Sequence, residues 1–217
     1  MTESIRTAIE GAGAYLTEHP DEARYTDSIA TARLESGLRV RVDGPNGEVL
    51  ETDMPAAVGG AGSASSPGWF LRASVAACVA SLATMRAAQL GLTGFACEVD
   101  VDSESDDRGI LGLDPAVPGG PLSMRIRLRL AADGVGLERL EEIAVWAVEH
   151  CPASDAIRRA QSRMRSTRPR EIATRRIRSV CESRGCQARP APRRSRRAES
   201  VVHIQTGRSE AKVQVVA

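Results

Sequence analysis

Two cysteines carry most of the chemistry this chain could perform. Cys151 stands in EHCPASD, residues 149–155, directly before Pro152. Proline cannot continue a preceding helix but suits the first turn of a new one, so Cys151 falls at an N-cap-like position. The positive end of a helix dipole and free backbone N–H groups there favour thiolate and lower the thiol pKa. Cys78 stands in RASVAACVASL, residues 72–82, in the middle of an apolar run where desolvation disfavours the anion. Local geometry alone makes Cys151 the more reactive of the two. A two-step redox cycle needs both kinds of thiol. One attacks a peroxide O–O bond and becomes a sulfenic acid, and the other condenses with it to a disulfide. The plainer reading is that each is a small buried hydrophobe. The two sulfurs lie on separate helices and can cooperate only if folding brings them together.

The elements that would position them follow from periodicity. LRVRVDG (38–44) alternates apolar and charged residues, as a half-exposed strand does. A strand over about 25–34 precedes it, GPNG (44–47) turns, and EVLETD returns as a third strand, completing a meander. AAVGGAGSASSPG (56–68) is a small-residue loop read as flexible, ending with Ser66 as N-cap and Pro67 at the first helical position. A helix of about 23 residues, roughly 35 Å long, then runs to the stop signal at Gly91. Leu71, Ser74, Val75, Cys78, Leu82 and Met85 form the stripe expected to face inward. FACEVDVDSE (95–104) and MRIRLRLA (124–131) alternate with period two and predict two antiparallel strands. GVGLERLEEIAVWAVEH predicts an amphipathic helix with Leu137, Leu140, Ile143, Ala144 and Val148 inward, and CPASDAIRRA opens a further one. Residues 1–24 read as a short helix or loose arm.

Composition places limits on the rest. The chain has 217 residues, 42% hydrophobic but only 3% aromatic, so aliphatic and small side chains must fill the core. Residues 1–160 hold 14 arginines against 24 acids, whereas 161–217 hold 15 basic residues against 4 acids. An acidic body over 25–160 is therefore followed by an Arg-rich extension over 161–217, read as largely disordered, in which VVHIQTG and KVQVVA could form short strands. The N-terminus has no basic region leading into a long apolar run, and the uncharged part of the long helix reads as too short to span a bilayer. A cytoplasmic protein is expected. Five cysteines, an odd number, argue against a structural disulfide framework.

SPGWFLRASVAACVASLATMRAAQLGL, followed much later by HCPASDAIRR, resembles the osmotically inducible protein C and organic hydroperoxide resistance family (OsmC/Ohr). The resemblance covers roughly residues 25–160. It implies an α+β fold made as an intertwined homodimer, with antiparallel sheets packed around long central helices. It also implies thiol-dependent reduction of organic hydroperoxides at the dimer interface, with Cys78 as the attacking thiol and Cys151 as the resolving one. That order reverses the one inferred from helix geometry, and charges supplied by folding can override a desolvation penalty. Peroxidases of the family activate the first thiol with an arginine from the N-terminal strands and a glutamate after the proline that opens the long helix. Here that proline matches Pro67, and the next residue is Gly68. Arg39 is the best match for the arginine and Arg33 the second; Glu51 or Asp53 could stand in for the missing carboxylate. Neither a cofactor nor a metal is implied, and an external dithiol must reopen the disulfide.

Other residues have narrower readings. Cys97 is expected inward on its strand. His150 could pair with Cys151, but capping of the preceding helix is the better account. Cys181, Cys186 and His203 lack a fourth metal ligand. The basic extension could meet nucleic-acid phosphates, yet it carries almost no aromatic residues for stacking and no binding motif, so nucleic acid is not an expected partner. An alternative to catalysis is an OsmC-like protein that binds an apolar ligand or partner at the dimer interface.

Overall fold

A computed structural model describes residues 2–166, 201–207 and 210–216, with side chains through 159. Helix α1, Thr2–Glu18, is a full helix and not the short one or loose arm expected; it packs on the long helix α2. The N-terminal meander follows as β1 (Thr31–Ser36), β2 (Arg39–Asp43) and β3 (Val49–Thr52), in the order β1-β2-β3, all antiparallel. The first strand starts later than its sequence indicates. Asp43, the last residue of β2, pairs with Thr31, so residues 25–30 have no ladder to join. Gly37, with φ 56°, opens the tight β1–β2 turn, where a side chain would be strained.

Helix α2 covers Pro67–Gln89, as its cap and stop signals predict. Ser66 Oγ accepts a hydrogen bond from the Trp69 N–H at 3.3 Å, satisfying one of the donors left free at a helix start. Strand β4 (Ala96–Glu104) leads through the short helix α3 (Asp107–Ile110) to β5 (Ser123–Ala131). These pair antiparallel over their whole length. Helices α4 (Leu137–Glu149) and α5 (Pro152–Ser166) follow. The strands β6 (Val201–Gly207) and β7 (Glu210–Val216) form a hairpin whose β7 lines the free edge of β5, giving the order β4-β5-β7-β6. The extension read as largely disordered therefore contributes two strands, because its alternating segments can satisfy an open sheet edge. Residues 167–200 lie outside the described residues.

The core lies between this second sheet and helices α2 and α4. Met124, Ile126, Leu128 and Leu130 alternate inward on β5, and Leu140, Ile143, Ala144, Ala147 and Val148 meet them from α4. On α2 the buried residues are Val75, Val79, Ala83, Ala87 and Ala88. The predicted stripe is thus rotated: Val75 is inward, Cys78 and Leu82 are half-buried, and Leu71 and Met85 are exposed. A helix apolar nearly all round does not itself select a face. The outer side of β4 and β5 carries an ion-pair ladder, with Arg125 and Arg127 both on Asp102 (2.6 and 2.7 Å) and Arg129 on Glu98 and Asp100.

Among the described residues α2 alone is long and apolar enough, by length and composition, to cross a membrane. The helix passes that test with Arg72 and Arg86 as its sole charges, while the uncharged run between them is short. Here it packs against α1, β4, α4 and α5.

Candidate functional site

The site forms where α2 meets α5. Cys151 is fully buried at the start of α5, and Cys78 is half-buried on α2. Both thiols are free, Cys78 packs against the buried cluster that contains Cys151, and the Cys151 thiol is among the groups that bear on Cys78 ionisation. The chain thus brings together cysteines 73 positions apart. The α5 N-terminus sits beside both. The Ser154 N–H donates to Cys151 Sγ at 3.4 Å, and the neighbouring Ala153 N–H acts on the Cys78 sulfur. The Ser154 hydroxyl, itself buried, reaches the Val148 carbonyl at 2.7 Å and the Cys151 carbonyl at 3.1 Å.

Burial pushes the Cys78 thiol above its ordinary value, and the hydrogen bond with Cys151 adds to this; the Ala153 amide pulls the other way by favouring the anion. None of these groups is a cation. Burial alone raises Cys97 to about 11, in keeping with its inward position on β4.

Arg39 is not brought to this site. It stays on the N-terminal sheet, held by Glu51 (2.6 Å), Glu35 (3.1 Å) and the Ser63 hydroxyl (3.1 Å). Arg33 binds Asp43 at 2.8 Å. Of the two carboxylates considered for the role left open by Gly68, Glu51 grips Arg39 directly. Asp53 is buried and turned to the glycine loop, accepting from the Met54, Ala61 and Ser63 N–H groups and the Ser63 hydroxyl. These bonds, led by those from Ser63, hold its carboxyl below the usual range. Ser63 therefore links Asp53 to Arg39, a role that its place in the small-residue loop between β3 and α2 does not signal.

His150 turns away from the thiols. Its ring stacks on Trp146 (centroids 4.2 Å apart) and its Nδ1 bonds the Trp146 carbonyl at 2.8 Å, the capping role read from sequence. No cluster of potential metal ligands occurs among the described residues; Cys181 and Cys186 lie outside them, as does the His203 side chain. An apolar cavity of about 480 Å³ opens between α1, α2 and β4, lined by Ile5, Ala80, Met85, Phe95 and Cys97 among others. Neither Cys78 nor Cys151 lines it.

The sequence profile of a family described as OsmC-like protein matches residues 60–164, which include both thiols. An organic hydroperoxide resistance protein OsmC from Legionella pneumophila is similar in structure, at 24% identity and TM-score 0.44, over 62% of this chain and 91% of that one. OhrB of Bacillus subtilis is similar at 22% identity and TM-score 0.42, over 61% and 91%. An OsmC-like protein of unknown function from Vibrio cholerae reaches TM-score 0.49 at 10% identity, over 61% and 94%. No protein with a curated description matches the chain.

Proposed function

Residues 60–164 place the chain in the OsmC/Ohr family, and from that premise we propose that it is a cysteine-dependent peroxidase acting on organic hydroperoxides. Membership supports the coarser statement, a role in hydroperoxide resistance or redox chemistry. The observation that supports the finer one is that α2 packs on α5 and sets Cys78 against the buried cluster that contains Cys151.

In the proposed cycle the Cys78 thiolate attacks the distal oxygen of ROOH. The O–O bond breaks, the alkoxide takes a proton and leaves as ROH, and Cys78 becomes a sulfenic acid. The Cys151 thiolate then displaces hydroxide, which leaves as water, and a Cys78–Cys151 disulfide forms. An external dithiol reopens it by exchange. Cys78 is the better attacker on access, since Cys151 is fully buried and Cys78 is not.

The cycle calls for a cation near Cys78, and one protomer holds Arg39 elsewhere. A homodimer resolves this. The N-terminal sheet pairs its strands only with one another and leaves Leu34 68% exposed, while α2 leaves Trp69, Leu71 and Met85 exposed. Two uncovered apolar faces on one chain can cover each other in a two-fold pair, and Arg39 of a second copy would then approach the thiols. The reaction fits a reducing cytoplasm and requires no cofactor, metal, membrane or nucleic acid.

The test is consumption of cumene hydroperoxide with dithiothreitol as reductant. Wild type is expected to turn over and Cys78→Ser to fall to the uncatalysed rate; equal rates in both exclude the mechanism. One observation favours a second reading, binding of an apolar ligand without catalysis: the Cys78 thiol is pushed up, not down. Alkylation of Cys78 by iodoacetamide across pH separates them. A midpoint below the free-thiol value of about 8.5 supports the peroxidase, and one above it the binding protein.

A further inference from the structure

We infer that Ser154 is a positioning residue for the second half of this cycle: it holds Cys151 Sγ where it can capture the Cys78 sulfenic acid before a second hydroperoxide does. This rests on the peroxidase reading and adds a residue to it. Three polar contacts converge on Ser154. Its hydroxyl reaches the Val148 carbonyl at 2.7 Å and the Cys151 carbonyl at 3.1 Å, and its N–H reaches Cys151 Sγ at 3.4 Å. A hydroxyl has one proton, and the shorter contact assigns it to Val148.

Val148 lies in the last turn of α4, where carbonyls have no partner within the helix. Ser154 lies in the first turn of α5, where N–H groups have none. One residue therefore satisfies an orphan acceptor of the first helix and uses an orphan donor of the second. This fixes the α4–α5 corner and, with it, the direction of the Cys151 side chain. Ser154 is 3% exposed, so water does not compete for these bonds.

Two reactions compete for the sulfenic acid. Attack by Cys151 gives the disulfide and water. Attack on a second ROOH gives the Cys78 sulfinic acid and ROH, which is not reversed by a dithiol. A Cys151 freed to rotate loses the first reaction without changing the formation of the sulfenic acid.

The experiment oxidises folded protein with excess cumene hydroperoxide and measures, by mass spectrometry of the Cys78 peptide, the ratio of Cys78–Cys151 disulfide to Cys78 sulfinate. Ser154→Ala is expected to shift that ratio about fivefold toward sulfinate, the effect of losing one buried hydrogen bond. The pair Ser154→Thr and Ser154→Val controls for shape, because these side chains are isosteric and only threonine keeps the hydroxyl. Threonine should retain more disulfide than valine when the two are compared at equal total oxidation of Cys78. If alanine matches wild type, or threonine and valine match each other, Ser154 does not position Cys151. If wild type yields no Cys78–Cys151 disulfide, the underlying cycle is at fault.

Discussion

At Gly68, in the first turn of α2, a Cβ would meet nothing closer than Arg72 Nη1 and Ser66 Oγ, both at 3.9 Å. A carboxylate is therefore sterically welcome at this position. It would complement the helix N-terminus and lie one turn before Arg72, whose guanidinium reaches Ser103 at 3.4 Å. Gly68→Glu is expected to stabilise the protein by about 0.5–1.5 kcal/mol from helix propensity and the dipole together, measured by urea unfolding. A loss of stability would count against this account of the turn. Other residues differed in how much their types disclosed. The Cys151-Pro152 junction was legible because proline fixes the helix start, and His150 because a helix end leaves carbonyls to cap. Glu51 was legible as a candidate carboxylate but not as the partner of Arg39, since two strands must pair before the groups meet. Ser154 was legible as the serine of Cys-Pro-x-Ser but not as the link between two helix ends, and Ser63 gave no signal, since Arg39 is 24 residues away and becomes its neighbour only on folding.

Among the elements, α2 was read almost to the residue at its ends and misread around its circumference. Ser66 and Pro67 specify the start by hydrogen bonding and by a fixed φ. Ser66→Ala is expected to cost about 0.5–2 kcal/mol in thermal or urea unfolding, since the Trp69 N–H then loses its side-chain acceptor and keeps only the Ser66 carbonyl at 3.0 Å. An unchanged midpoint would mean that water replaces the cap at no cost. The inward face, by contrast, was set by what β4, β5 and α4 present to the helix, and an almost uniformly apolar sequence records none of that. Helix α4 shows the converse: its polar and apolar faces are distinct, and four of the five residues expected inward are buried, with Leu137 packed at the margin. The strands of the second sheet were legible from alternation, whereas the pairing of β7 with β5 was not, because a register is a property of two segments.

For the whole molecule, the N-terminal sheet is the part that one chain leaves unfinished. Ala32, Leu34, Val40, Val42 and Leu50 occupy one side of the meander by register, and Leu34 is largely exposed. Leu34→Asp is expected to leave the protomer folded by circular dichroism and to shift the protein from dimer to monomer in light scattering. A variant that remains a dimer would remove this face from the interface. No pattern within the sequence says that an apolar sheet face will be covered by another copy; the pattern says only that it will be covered. The α+β class and the OsmC-like body were therefore legible from one sequence. The partners of Arg39 on the N-terminal sheet were not, since Glu51 and Ser63 meet it only once the chain has folded.

The loop of small residues between β3 and α2 has one more consequence. Asp53 fastens it by four hydrogen bonds, from the Met54, Ala61 and Ser63 amides and the Ser63 hydroxyl. A carboxyl whose pKa is depressed by such bonds contributes stability above its unfolded-state value, lost only as acidity carries it through the lower folded-state value. A stretch composed like a linker thus behaves as a clasp. Mild souring of the medium leaves it shut, and only stronger acid, by protonating a single side chain, releases the tether between the N-terminal sheet and the thiol-bearing helix.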